Sequence, residues 1–207
     1  MRTPVHSRTS SGRACAALVS LAALVGCAST VVDAQWRSNE LPAGFLRGAP
    51  VMIHCETPEL VLQRICEDRL STDLAALGAR PVVAAQGAVA PMAADAQVLP
   101  AARSSGAKAL FSVTIGVASQ SVSQGMSIGI GGFGYGSHSS GGVGVSAPIG
   151  GGQLSTGYSA SSRVTEVASG KLVWTARATA PPSSDLNAQL AELSKIVVDA
   201  AAKAGLF

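Results

Sequence analysis

Residues 51–78 read VMIHCETPELVLQRICEDRLSTDLAALG, and this stretch sets the fold class. Val51-Met52-Ile53-His54-Cys55 is short, apolar and β-compatible, which predicts a first strand. Thr57-Pro58-Glu59 then predicts a helix start: a hydroxyl cap, a proline where the missing N–H does no harm, and an acid in the first turn. Leu62, Cys66, Leu70, Leu74 and Leu77 follow at spacings of four, four, four and three, with Ile65 beside them. That is one buried helical stripe, ended by Gly78. Arg64, Glu67, Asp68 and Arg69 fall on or near the opposite face, so Glu67-Asp68 reads as solvated helix surface, not a catalytic carboxylate pair.

Toward the C-terminus, Val82-Val83 predicts a brief second strand. A weaker helix follows around Asp95 to Ser104; Pro100 inside it means that the helix is kinked or starts late, and Gly106 closes it. Leu110 to Ile115 is a third strand, continuing through Val117. Arg163 to Val167 and Leu172 to Ala176 flank Ala168-Ser169-Gly170-Lys171, a hairpin signal. Leu186, Leu190, Leu193, Val197, Ala200 and Ala204 trace a second helical stripe, with Ser183 or Ser184 as its cap and Gly205 past its end. The order is β-α-β-α-β, a Gly-rich insert, then β-β-α. Two amphipathic helices each need an apolar surface, and a mixed sheet supplies it. The expected fold is a two-layer α/β (α+β) domain over residues 50–207.

The insert spans about 119–157 and carries thirteen glycines between Gly125 and Gly157. Met126, Ile128 and Ile130, then Val143 and Val145, alternate with Ser or Gly around a polar turn at Gly136 to Gly141. This period of two predicts a mobile hairpin projecting from the sheet, with plain disorder as the alternative, because Gly weakens strand interiors. Gly129-Ile130-Gly131-Gly132-Phe133-Gly134 matches the dinucleotide fingerprint G-x-G-x-x-G. That chemistry needs a helix N-terminus directly after the motif and an acid about 20 residues on. More Gly and Ser follow instead, and no Asp or Glu occurs between Asp95 and Glu166. No nucleotide site is expected.

Toward the N-terminus, residues 28–49 are punctuated by Pro42, Gly44 and Gly48 and read as an irregular tether, from which Trp36 and Phe45 pack back onto the domain. Ahead of it, Arg2, Arg8 and Arg13 precede an apolar run from Ala14 to Leu24, about half of what a spanning helix needs. Leu24-Val25-Gly26-Cys27 resembles the lipobox of bacterial lipoproteins. The resemblance implies a signal peptide over 1–26, cleavage between Gly26 and Cys27, and a diacylglyceryl group on the Cys27 thiol with acylation of the new amine. Several acyl chains anchor stably where one binds marginally. Ala28 in place of Asp implies sorting to the outer membrane. Ordinary secretion, with cleavage near Val32-Asp33-Ala34, is the competing reading. Residues 27–49 would then form a lipidated tether.

The formal net charge is +3. The three leader arginines account for it: without them twelve basic residues face twelve acidic ones. A neutral chain has no general electrostatic footprint for nucleic acid. Catalytic signals are equally sparse. Ser105-Gly106-Ala107-Lys108 matches S-x-x-K, but at a helix end and without companion motifs, so it reads as a Gly-stopped helix. His6 lies in the leader, His54 in a strand and His138 in a loop, so no metal site is expected. Cys55 and Cys66 sit in an oxidising compartment, where a disulfide is the first thought. A helix starting at Thr57 puts Cys66 about 13 Å along it, with Cys55 about 7 Å back along the strand. That offset, across layers about 10 Å apart, exceeds the disulfide reach and favours two buried free thiols.

With these elements placed, the chain resembles a family of uncharacterised Gram-negative cell-envelope lipoproteins. The residues that carry this are the lipobox, Arg64-Ile65-Cys66-Glu67-Asp68 with Leu77-Gly78-Ala79, Ser105 to Leu110, the Gly-rich insert, and Ser169-Gly170-Lys171-Leu172-Val173-Trp174. Lys108 departs from the acid usual at its position. The resemblance implies location better than role. The expected function is a non-enzymatic, periplasm-facing outer-membrane lipoprotein, bound to the membrane by its lipid, without a cofactor, acting on an envelope protein partner. The rival is a small-ligand carrier or hydrolase with a pocket between sheet and helices.

Overall fold

The computed structural model describes residues 29–84, 87, 89–123 and 153–207. Its elements are β1 (Val31–Arg37), β2 (Pro50–Glu56), α1 (Leu60–Ala76), β3 (Arg80–Val83), α2 (Asp95–Ser104), β4 (Ala109–Ser123), β5 (Gln153–Glu166), β6 (Leu172–Thr179) and α3 (Leu186–Lys203). The strands form one sheet in the order β1-β6-β5-β4-β2-β3. β2 is parallel to both β3 and β4, and the remaining pairs are antiparallel. This is the expected mixed α+β architecture, with one strand more at its front. The lipobox, Cys27, and the insert residues 124–152 with the G-x-G-x-x-G match and His138 lie outside the described residues.

α1 and α3 lie side by side on one face of the sheet. Their stripes pack on the inward-pointing residues of the strands: Val51, Ile53 and Cys55 of β2, Phe111 and Val113 of β4, Val164 of β5 and Trp174 of β6. Leu70, Leu74, Leu190, Leu193 and Val197 are buried against them. Phe111 and Trp174 meet with ring centroids 5.9 Å apart. α2 covers the other face near β2 and β4, where Met52, Val98, Ala102, Leu110 and Val167 make a smaller core. Alternation along each strand therefore serves two cores of unequal size.

Helix ends follow local chemistry. Gly78, Gly106 and Gly205 take positive φ after α1, α2 and α3, the left-handed stop expected of them. Ser105 caps α2 and donates to the Ala102 carbonyl, so Ser105 to Lys108 is the Gly-stopped helix end that the sequence indicates. Lys108 donates to the Phe45 carbonyl at 2.8 Å and stands over the Phe45 ring. Pro100 is accommodated inside α2.

Four expectations are corrected. The segment 28–49 is not an irregular tether: Val31–Arg37 pairs with β6, and Leu41, Phe45, Leu46 and Ala49 are buried. Gly44 and Leu46 donate backbone bonds to Gly205 and Leu206, tying this segment to the end of α3. VVDAQWR lacks strand alternation, and it is β6's open edge that recruits it. Second, α1 begins at Leu60 with Glu59 as its cap, while Thr57 is buried and accepts only from the Glu59 N–H. Third, α3 is capped by Asp185, whose carboxylate accepts from the Ala188 N–H, and not by Ser183 or Ser184.

The fourth correction is chemical. Cys55 and Cys66 form a disulfide with a Cα–Cα distance of 6.2 Å. The later helix start places Cys66 only about 9 Å into α1, and α1 runs back over β2, so the displacements along helix and strand cancel. The layer spacing also refers to the helix axis, and an inward-facing Cα stands about 2.3 Å closer to the sheet.

Candidate functional site

The parallel strands β2 and β4 run toward the same end of the sheet, and the N-termini of α1 and α2 open there. The connection from β2 enters α1 on one face and the connection from β3 enters α2 on the other. Polar residues gather here on the face shared with α2: His54 and Glu56 of β2, Ser112 and Thr114 of β4, Arg163 and Thr165 of β5. Strand pairing sets them in rows, His54 beside Ser112 beside Arg163, and Glu56 beside Thr114.

Arg163 is the hub. Its Nε and Nη2 donate to the two oxygens of Asp95 at 3.2 and 3.0 Å, a bidentate fork. The same Nη2 donates to Glu56 Oε1, and Nη1 donates to Thr114 Oγ1 at 3.2 Å. Thr114 passes its own proton to Glu56 Oε2 at 2.6 Å, and Thr165 donates to Asp95 at 3.2 Å. Ser112 Oγ lies beside Asp95 but outside full hydrogen-bond geometry, and it is one of the buried hydroxyls without a partner. Burial pushes the Asp95 carboxyl up, but the hydrogen bonds and charge of Arg163, aided by Ser112 and Thr165, outweigh it and hold the group below the ordinary carboxylate range. The Asp95 carboxylate in turn raises Arg163.

Every donor of the Arg163 fork that points inward is spent on its neighbours. The cluster therefore binds the start of α2 to the sheet and leaves the Ser112 hydroxyl without a partner. Next to it, His54 Nε2 faces the Ala93 carbonyl at 3.1 Å, a ring satisfied within the sheet as expected. Glu67 corrects the sequence reading: it is buried, accepting from Gln63 at 2.9 Å and from Arg64 at 3.0 Å, whereas Asp68 and Arg69 are exposed. Glu67 falls on the flank of the stripe that turns toward β2, one position beside Cys66.

These residues border a cleft of about 220 Å³ between α1 and the segment after β3, lined by His54, Gln63, Arg64 and Glu67. The space between the sheet and α1 and α3 is only about 10 Å³, walled by Leu70, Val113, Leu190 and Leu193. Ligand sites usually occupy about 300–1,000 Å³, and an open groove of about 400 Å³ between β1 and α3, lined by Val32, Ala34, Gln35, Ile196, Ala200 and Lys203, falls in that range. Among the described residues no three His, Cys, Asp or Glu side chains gather as metal ligands. No described helix is long and apolar enough to cross a membrane.

Glu56, Asp95 and Arg163 did not stand out in the sequence. They are separated by as many as 107 positions, and each reads singly as surface charge. Only an acid closing an apolar strand and an arginine opening another hinted at them.

Fold and site together define a mixed α+β domain with an ion-paired polar cluster at one end of its sheet. No protein-family model matches the chain, and no curated protein does either. Among solved structures, a PelC dodecamer from Paraburkholderia phytofirmans is 17% identical, covering 81% of this chain and 96% of its own, with a TM-score of 0.45. A single-substitution form of the same protein is 16% identical, covering 80% and 96%, with a TM-score of 0.46.

Proposed function

We propose that the chain is a lipoprotein anchored through Cys27 to the outer membrane. Its α+β domain faces the periplasm as a non-enzymatic interaction or envelope-maintenance module. One observation carries this reading. Cleavage before Cys27 leaves the whole domain intact, whereas the competing cleavage near Val32-Asp33-Ala34 would cut through β1. That cut would remove the pairs Val31–Thr179 and Val32–Ala178, together with the bond from Thr179 to Asp33 at 2.6 Å. It would also strip the contact of Thr30 with Glu192 on α3. The extent of β1 thus supports a cleavage ahead of Val31, as the lipobox reading requires.

The test is metabolic labelling with a fatty-acid analogue. The wild type should take label and mature at Cys27, and Cys27→Ser should remain unlabelled and uncleaved. Equal label on both removes the anchor. Crosslinking in cells followed by mass spectrometry then identifies the envelope partner.

A further inference from the structure

The row Val31, Thr179, Ser159 and Gly116 crosses four strands of the sheet. β1 begins at this row and β6 ends there, while β2 stops short of it, with Glu56 beside Thr114. β4 and β5 do not stop. They continue as a paired ribbon to Ser123 and Gln153, six β5 residues beyond the row, or about 20 Å. Past the row, among the described residues, only the segment leading to α3 accompanies them, through the bridge between Thr156 and Ser183. Val117 to Ser121 are exposed.

The chain enters the sheet at the same row. Cys27 stands four residues before Val31, a span of at most about 14 Å. Thr30, bonded to Glu192, shortens the free part further. Anchor and ribbon thus leave one end of the domain, and the anchor has no more reach than the ribbon. We propose that the β4–β5 ribbon lies against the lipid bilayer, with its outer end in the headgroup and upper acyl region. This rests on Cys27 being acylated.

Charge is distributed accordingly. From Ala109 to Ser162 the chain contains no Asp, Glu, Lys or Arg, so the ribbon carries no ion whose desolvation would oppose entry. Its strands pair along their shared inner ladder, and their open outer edges need the polar partners that the headgroup region supplies. The opposite end of the sheet carries exposed Arg47, Arg80, Arg103, Lys108 and Lys171, which stay solvated when the ribbon end faces the membrane.

The experiment uses the full lipidated protein in vesicles of phosphatidylethanolamine and phosphatidylglycerol, with a spin label on Ser121→Cys or on Lys171→Cys. Both positions are exposed, and an unchanged melting temperature confirms the fold of each variant. Accessibility of the label to oxygen, relative to a water-soluble nickel complex, reads lipid against water. The ratio at 121 should rise several-fold on reconstitution and the ratio at 171 should not change. An intact mass of each sample shows whether Cys27 is acylated. An acylated protein whose label at 121 stays in water overturns the ribbon contact and leaves the anchor standing. A protein without acyl chains overturns both.

Discussion

The two faces of the sheet are built from the same strands and held by different physics. On the face under α1 and α3, Ile53, Phe111, Val164 and Trp174 meet Leu70 and Leu190 in a continuous apolar layer, crossed by the Cys55–Cys66 disulfide. On the other face, one position along each strand, Glu56 and Arg163 form an ionic cluster with Asp95 at the start of α2, beside His54 and Ser112. The apolar face gains its stability from area removed from water and tolerates no vacancy. The polar face gains little net energy from its charges and uses them to fix geometry, since a charge pair at partial burial roughly offsets its own desolvation.

That difference can be tested from the strongest effect downward. Leu70→Ala and Leu190→Ala should each cost about 2–5 kcal/mol, the range for truncating a buried leucine, read by denaturant or thermal unfolding. Unchanged melts would mean that the stripes do not hold this face. Cys55→Ala with Cys66→Ala should cost about 3 kcal/mol, because the crosslink closes a short loop in the unfolded chain. Reductant should then shift the wild-type melt and leave the double variant where it is.

Arg163→Met strands two carboxylates and should cost about 2 kcal/mol. Adding Glu56→Gln and Asp95→Asn should return part of that loss, since the penalty is mostly unpaired charge. A triple variant no better than Arg163→Met would show that the cluster contributes real net energy. A smaller effect is pH-dependent. The Asp95 carboxyl is held below its ordinary 3.8, so its contribution is complete above that value. The contribution is lost as pH falls through the lower value of the folded state. Melting temperatures between neutral pH and this acid range should fall less steeply for Asp95→Asn than for the wild type.

The smallest expected effect is deletion of Gly125 to Gly152 with a short closing turn. Closure entropy changes by only about 0.6 kcal/mol per doubling of loop length, so neither face should feel it. A deletant that cannot fold would make the insert part of the scaffold.

Periodicity made most of the architecture legible. The stripes of α1 and α3, the hairpin of β5 and β6, and the left-handed stops at Gly78, Gly106 and Gly205 were all readable, because each depends on residues within a turn or two of one another. β1 was not, since VVDAQWR shows no alternation and becomes a strand only where β6 offers unpaired backbone. The helix start at Leu60 was misplaced by three residues, and that error, with the layer spacing taken to the helix axis, moved Cys66 out of bonding range of Cys55.

What the sequence determined by itself is local: which segments are helical or extended, and which side of each is apolar. Tertiary structure alone decided the rest. It brought Asp95, Glu56 and Arg163 together, buried Glu67, closed the disulfide, and set the N-terminus and the β4–β5 ribbon at one end of the sheet. The reason is range. Backbone preference and hydrophobic period act over a few residues, while charge pairing, crosslinking and strand register depend on which distant segments the topology makes neighbours.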